Sequence, residues 1–125
     1  MTLFESAILE ARRQNYPYDE LMRAFMETEF AVPSSTPIQD RLSDLNPPIW
    51  EIDGAPNLGV FTTSARAERF RETSGLDAPY LALISGRRLT EVLAPDMWVA
   101  VNPTAPDYMF RIPPEAIAAA RERFG

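Results

Sequence analysis

Residues 49–64 read IWEIDGAPNLGVFTTS, and they carry the clearest indication of how this chain folds. Residues 49–54 alternate apolar and polar side chains, which is the pattern of a half-buried strand. Asp53-Gly54 follows as a turn signal, and residues 57–62 supply the partner strand. The stretch therefore predicts a β-hairpin with its turn at Asp53-Gly54.

The hairpin leads directly into a helix. Thr63 or Ser64 can cap the first turn, because a hydroxyl oxygen there accepts a hydrogen bond from a free backbone N–H group. We expect this helix to run to about Glu72 and to stop at Ser74-Gly75, since glycine commonly ends helices. Strands and helices thus alternate in this part of the chain.

The other periodic segments extend this unit in both directions. Two helices with a short connection predict an N-terminal helical hairpin, and the apolar run 79–84 reads as a central strand. The order predicts a single domain over residues 1–125, of the α+β or α/β class, with one mixed β-sheet and helices packed on it. The further predicted elements are helices 3–13 and 18–29, strand 30–33, strand 79–84, helix 87–93, strands 97–101 and 108–112, and a terminal helix beginning at 113–115.

The residue types present exclude several kinds of chemistry. The chain has 18 acidic and 12 basic residues, a net charge of −6, and all its basic residues are arginine. Without histidine, cysteine or lysine, it cannot build a Ser-His-Asp or Cys-His triad, a cysteine-ligated zinc site or a Schiff base. We expect no enzymatic activity, no metal and no cofactor.

Charge and hydropathy also narrow the partners and the compartment. The acidic excess argues against nucleic acid and against a membrane surface as partners. No apolar run approaches the length of a membrane span, and the N-terminus MTLFE lacks the basic and apolar regions of a signal peptide. We expect a cytoplasmic protein whose acidic surface attracts a basic protein partner.

Arg87 and Arg88 follow Gly86 at the start of a predicted helix. Backbone N–H groups and the helix dipole attract anions there, and two guanidinium groups would strengthen that attraction. Surface pairing is the simpler interpretation, because Glu91 lies four residues after Arg87 and three after Arg88. We favour the pairing and keep both arginines as candidate binding residues.

Three large aromatic residues and one asparagine complete the candidate binding residues. Trp50 stands beside a proline-rich segment and is expected to be partly exposed, whereas the pattern around Trp98 favours a core position. Exposed aromatic side chains, here including Tyr108, anchor protein interfaces. Asn102 precedes a proline and predicts a turn in which its side chain binds its own backbone.

Glu51 and Asp53 are two carboxylates on one face of a predicted strand. Such a pair can divide acid and base roles, but Asp53 before Gly54 is better explained as a turn residue. The hydroxyls at the strand-to-helix turn have no histidine or lysine to activate them. Neither pattern predicts a catalytic site.

Five segments form an ordered pattern along the chain: FAVP (30–33), GVFTTS (59–64), PYLAL with GRRL (79–83 and 86–89), VNP (101–103) and IPPEAI (112–117). This pattern resembles the SseB-like family, in its SseB protein N-terminal domain. The resemblance covers the chain from about Asp19 to the end. It implies a compact α/β domain of the bacterial cytoplasm, without a recognised catalytic site.

These observations predict a non-catalytic, cytoplasmic protein-interaction domain. Its partner would be a protein, and an edge strand could also pair with a second copy to give a homodimer. One alternative is a secretion chaperone or a toxin-immunity protein that binds one cognate partner. The other is a small-molecule-binding regulator, which would need Arg87 or Arg88 to converge with Glu51 in a pocket.

Overall fold

The predicted fold class is confirmed. A computed structural model describes residues 3–14, 18–36, 47, 49–75, 78–103 and 109–124. Helices and strands are mixed along these residues, as in an α+β domain, and no described helix has the length and apolar character needed to cross a membrane. The elements are α1 (Leu3–Gln14), α2 (Tyr18–Glu27), β1 (Glu29–Ser34), β2 (Ile49–Ile52), β3 (Ala55–Val60), α3 (Ser64–Ser74), β4 (Tyr80–Ser85), α4 (Gly86–Val92), β5 (Trp98–Val101), β6 (Phe110–Ile112) and α5 (Pro114–Phe124).

The hairpin predicted from residues 49–64 is present. β2 and β3 pair antiparallel, and Ile52 lies opposite Ala55. Asp53 and Gly54, which join them, have φ angles of 53° and 78°. Positive φ at both central residues defines the two-residue turn whose twist matches that of the flanking strands, and aspartate followed by glycine favours it.

The strands form two sheets rather than the one that the sequence predicted. One sheet has the order β2-β3-β5-β6, with β3 and β5 parallel, and the other is the antiparallel pair β1-β4. A single bridge joins them, because Ala31 and Phe61 exchange two backbone hydrogen bonds of 2.8 and 2.9 Å. The sheets are separate because β3 ends at Val60. Only the next residue, Phe61, pairs with β1.

The position predicted for strand 79–84 is wrong. β4 pairs only with β1 among the described strands, and it is therefore an edge strand rather than a central one. Its side chains alternate: Ala82 and Ile84 are buried, whereas Leu83 is 58% exposed. An apolar run indicates two buried faces, but here tertiary packing covers the outer face of β4 only in part.

The main core lies between one face of both sheets and the helices α1, α2, α4 and α5. At its centre the rings of Phe4, Phe25 and Phe30 meet, with centroids 5.2–6.0 Å apart. These residues come from α1, α2 and β1, and all three are fully buried. Tilted and edge-to-face ring contacts of this kind add stability beyond the area that they bury.

Among the described helices, α3 alone covers part of the opposite face. Ala67 and Phe70 of α3 pack on Ala31 and Phe61, the two residues of the bridge between the sheets. Thr63 caps the helix, since its side chain accepts a hydrogen bond from the N–H of Arg66. Gly75 ends it with a φ of 68°, as the sequence predicted. The fold therefore has three layers, with the sheets in the middle.

Helix α4 approaches α2 at a glycine. A Cβ atom on Gly86 would lie 1.9 Å from the backbone oxygen of Phe25, and the Gly86 N–H donates a 2.8 Å hydrogen bond to the oxygen of Thr28. Leu89 of α4 is fully buried in the core, whereas Val92, the last residue of this short helix, is 45% exposed.

We expect the substitution Gly86→Ala to lower the free energy of unfolding by about 3 kcal/mol, because the backbone of α2 must move to admit the methyl group. Gly75→Ala is the matched control, since a Cβ there meets nothing within 4 Å and only its positive φ is unfavourable. That control should lose about 1 kcal/mol. Urea denaturation measures both, and an equal or smaller loss at Gly86 would contradict the close approach of α4 to α2.

Candidate functional site

The two predicted arginines bind acidic residues on different helices. Arg88 pairs with Glu91 at 2.5 Å, as the spacing predicted. Arg87 does not pair with Glu91; it reaches Glu27 of α2 at 2.6 Å and donates to the backbone oxygen of Phe124 in α5. It therefore ties three helices together. The side chains of both arginines contact these groups rather than Glu51, so the convergence required for a small-molecule site is not found.

Trp50 is half-buried, in agreement with the prediction of partial exposure. Its ring stands edge-on to Phe70 with centroids 5.5 Å apart. It also covers Gly59, where a Cβ atom would lie 2.0 Å from the ring. The indole thus fills the space between β3 and α3, and packing explains its position.

Trp98 is half-buried on the sheet face opposite the main core. Its neighbour Val99 faces that core, and successive strand residues point to opposite faces. The guanidinium group of Arg111 lies 4.4 Å from the centre of the indole ring, a cation–π contact. The core position favoured by the sequence is therefore wrong, because an arginine on the neighbouring strand covers this face instead.

Arg111 also organises the polar groups around that indole. Its side chain donates to the buried Asn57 at 3.1 Å and to Asp53 at 3.2 Å, and it reaches the backbone oxygen of Ile52 at 3.4 Å. Asp53 is consequently a turn residue that pairs with an arginine, as the turn interpretation favoured. Glu51 is exposed on β2, the strand that precedes this turn.

Asn102 is buried and has a φ of 50° at the end of β5. Its side-chain oxygen accepts a 3.1 Å hydrogen bond from the N–H of Thr62, and its amide nitrogen donates to the Thr62 hydroxyl at 3.1 Å. The chain bends at Asn102 and turns at residue 103, in line with the predicted turn, and these hydrogen bonds join its side chain to Thr62, just past the end of β3. Tyr108 lies outside the described residues.

The sequence missed a buried polar cluster, formed by Glu5, Thr62, Arg66 and Asn102. One carboxylate oxygen of Glu5 accepts hydrogen bonds from the Thr62 hydroxyl at 2.5 Å and from the Arg66 side chain at 2.6 Å. Glu5 is almost fully buried, whereas the Arg66 side chain is one-third exposed. The cluster fastens α1 to the ends of β3 and β5 and to α3.

Linear spacing could not have revealed this cluster, because 57 and 61 residues separate Glu5 from Thr62 and Arg66. An acidic residue beside Phe4 near the start of a helix reads as a favourable charge for the helix dipole. The polar side chains of this cluster form hydrogen bonds with one another. The described residues also contain no group of three or more acidic, histidine or cysteine side chains that could hold a metal ion.

A shallow crevice of about 150 Å³ lies between α5 and the segment that joins α4 to β5. Most of its lining residues are apolar, and Arg121, also in the lining, donates to the backbone oxygen of Thr90 at 3.3 Å. The candidate binding residues that the structure describes are not among its lining residues. The lining residues are Thr90, Leu93, Ala94, Pro95, Met97, Pro114, Ile117, Ala118 and Arg121.

The edge strands of the two sheets differ in how well they are protected against pairing with a further strand. β2 carries the exposed Glu51, and β6 has only three residues and carries Arg111. The outer side of β1 is occupied by the bridge to Phe61. β4 reads YLALIS, without a charge or a proline, and exposes Tyr80 and Leu83. Short length, charges and proline are the devices that keep edge strands from pairing, and β4 has none of them.

The molecule is thus an α+β domain whose buried polar groups bind one another and whose uncharged edge strand is unpaired among the described strands. A family model described as SseB protein N-terminal domain matches residues 5–119, and the chain belongs to this family. The match includes most of α1, upstream of the segments that carry the sequence resemblance. Searches of curated proteins and of solved structures give no match.

We expect Glu5→Ala to lower the free energy of unfolding by about 2 kcal/mol, because it leaves the Arg66 charge and the buried Thr62 hydroxyl without this partner. Glu91→Ala is the matched control: it removes the same group from an exposed ion pair with Arg88 and should change stability by about 0.5 kcal/mol or less. Urea denaturation of the variants tests this difference. Similar losses at the two positions would show that the cluster does not hold the layers together.

Proposed function

We propose that this SseB-family domain is a non-catalytic, cytoplasmic protein-interaction domain that binds a strand of a protein partner along β4. The observation that carries the proposal is the edge of β4, which is uncharged, six residues long and unpaired among the described strands. An exposed strand edge presents backbone N–H and C=O groups that a further strand can satisfy. Proteins that recognise extended peptides use such edges for affinity and neighbouring side chains for specificity.

The exposed side chains of β4 supply apolar area for such a partner. Leu83 is 58% exposed and Tyr80 is 43% exposed, and they lie on opposite faces of the strand. Full burial of a leucine side chain contributes about 2 kcal/mol, so the exposed part of Leu83 contributes about 1 kcal/mol. Backbone hydrogen bonds add about 1 kcal/mol each. These sums fit a transient interaction rather than an obligate one.

Charge favours a basic partner at one end of this edge. Glu29 lies opposite Ser85 in the register of β1 and β4 and is exposed. A strand added to β4 would be separated from this carboxylate by β4 alone. A lysine or arginine of the partner at that point would meet a charge of opposite sign. The net charge of −6 would also speed the approach of a basic protein.

Two features support a role without catalysis. The chain contains no histidine, cysteine or lysine, which removes imidazole and amine bases and the thiol nucleophile. The buried polar groups at the ends of β3 and β5 hydrogen-bond one another instead of facing the crevice beside α5. A secretion chaperone or a toxin-immunity protein would use the same strand edge, and the identity of the partner distinguishes them.

A tagged pull-down from the native cell, read by mass spectrometry, tests the proposal with two variants. We expect a protein that is recovered with the wild type to fall about tenfold with Leu83→Lys, because the lysine places a charge in the apolar contact. Val92→Lys is the matched control, since Val92 is 45% exposed but lies on α4. Equal recovery with Leu83→Lys would contradict the assignment of the surface to β4, and recovery of no protein at all would contradict the proposed function.

A further inference from the structure

We propose that the strand that pairs with β4 is β4 of a second copy of this chain. The two strands would run antiparallel about a twofold axis perpendicular to the sheet, and the order β1-β4 would continue into β4-β1 of the second copy. This inference rests on the proposed function, because it uses the same strand edge. It adds the identity of the partner and a register.

Self-pairing requires an edge that complements itself. In a twofold interface the same patch faces its own copy, so a charge near the axis meets an identical charge. β2 would bring Glu51 towards a second Glu51, and β6 would do the same with Arg111. Like charges directly opposite each other destabilise strand pairs. β4 contains no charged residue, and among the described edges it alone avoids this repulsion.

The burial pattern of β4 selects the register. A twofold axis perpendicular to the sheet keeps each side chain on its own face, so core-facing residues must pair with core-facing residues. Ala82 and Ile84 face the main core, and Leu81 and Leu83 face the other side. With Leu83 opposite its own copy, Ala82 lies opposite Ile84 and Leu81 opposite Ser85. This register buries Leu83, the most exposed large apolar side chain among the described residues.

The acidic charge of the chain opposes this pairing only weakly. The nearest acidic residue in the sheet is Glu29, which lies on β1 rather than on the edge. In the proposed dimer the two β1 strands are three strand spacings apart, about 14 Å. That separation exceeds the Debye length of about 8 Å at physiological ionic strength. The remaining repulsion between two chains of charge −6 should make dimerisation stronger as salt is added.

Cysteine cross-linking tests the register directly, because the chain has no cysteine of its own. Side chains directly opposite on antiparallel strands have Cβ atoms about 5 Å apart, close to the spacing that a disulfide spans. We expect the full chain with Leu83→Cys to form a covalent dimer under mild oxidation. Ile49→Cys on β2 and Val92→Cys on α4 are controls of similar exposure, 46% and 45%, and should remain largely monomeric on non-reducing gels. Cross-linking at the controls but not at Leu83 would overturn the proposal.

Sedimentation equilibrium provides the second measurement. We expect a concentration-dependent dimer for the wild type and for Val92→Lys, and a dissociation constant about tenfold higher or more for Leu83→Lys, which opposes two positive charges at the axis. Circular dichroism verifies that each variant is folded. A wild type that is monomeric throughout the micromolar range, or a dimer unchanged by Leu83→Lys, would overturn the proposal.

The outcomes also separate this inference from the proposed function. A monomeric wild type that still loses a foreign partner upon Leu83→Lys would refute the dimer and leave protein binding at β4 in place. A dimer that Leu83→Lys dissociates, with no foreign protein recovered, would make self-association the role of this edge. If Leu83→Lys weakens neither the dimer nor the binding of a foreign partner, both assignments of β4 are refuted.

Discussion

The structure depends on the junction at Phe61 and Thr62, directly after β3. The backbone of Phe61 exchanges two hydrogen bonds with Ala31 and thereby joins the two sheets. One residue later, the hydroxyl of Thr62 binds the buried carboxylate of Glu5, and its N–H binds Asn102. These two residues therefore connect the two sheets, helix α1 and the end of β5. A buried carboxylate is tolerable there because hydrogen bonds and the Arg66 charge compensate for its lost hydration.

The same junction explains why one edge of the molecule differs from the others. The bridge to Phe61 lies on the outer side of β1 at Ala31, so among the described strands β4 is the edge of that small sheet without such a partner. Helix α3 packs over the bridge and over Leu81, but it leaves Leu83 exposed. A feature that holds the sheets together thus also leaves an uncharged strand available for a partner. Stability and the proposed interaction have a common structural origin.

Local sequence patterns were sufficient to predict part of the candidate site. The turn at Asp53-Gly54, the Thr63 cap and the Arg88–Glu91 pair all involve residues within four positions of one another, so sequence spacing alone predicts them. Contacts between distant segments were not predictable in this way. Arg87 binds Glu27 rather than the nearer Glu91, because α4 docks against α2 through Gly86. Trp98 is covered by Arg111, which lies on the neighbouring strand.

The element types, the hairpin, the lack of histidine, cysteine and lysine, and the family pattern all follow from composition or from short-range spacing. Which strands are edges, where the two sheets meet and which polar groups are buried together emerge only when the chain is folded. Those properties depend on pairing between segments far apart in the chain, and apolar periodicity is the same for a central strand and for an edge strand. The exposed edge of β4 could therefore be recognised only once its neighbours were in place.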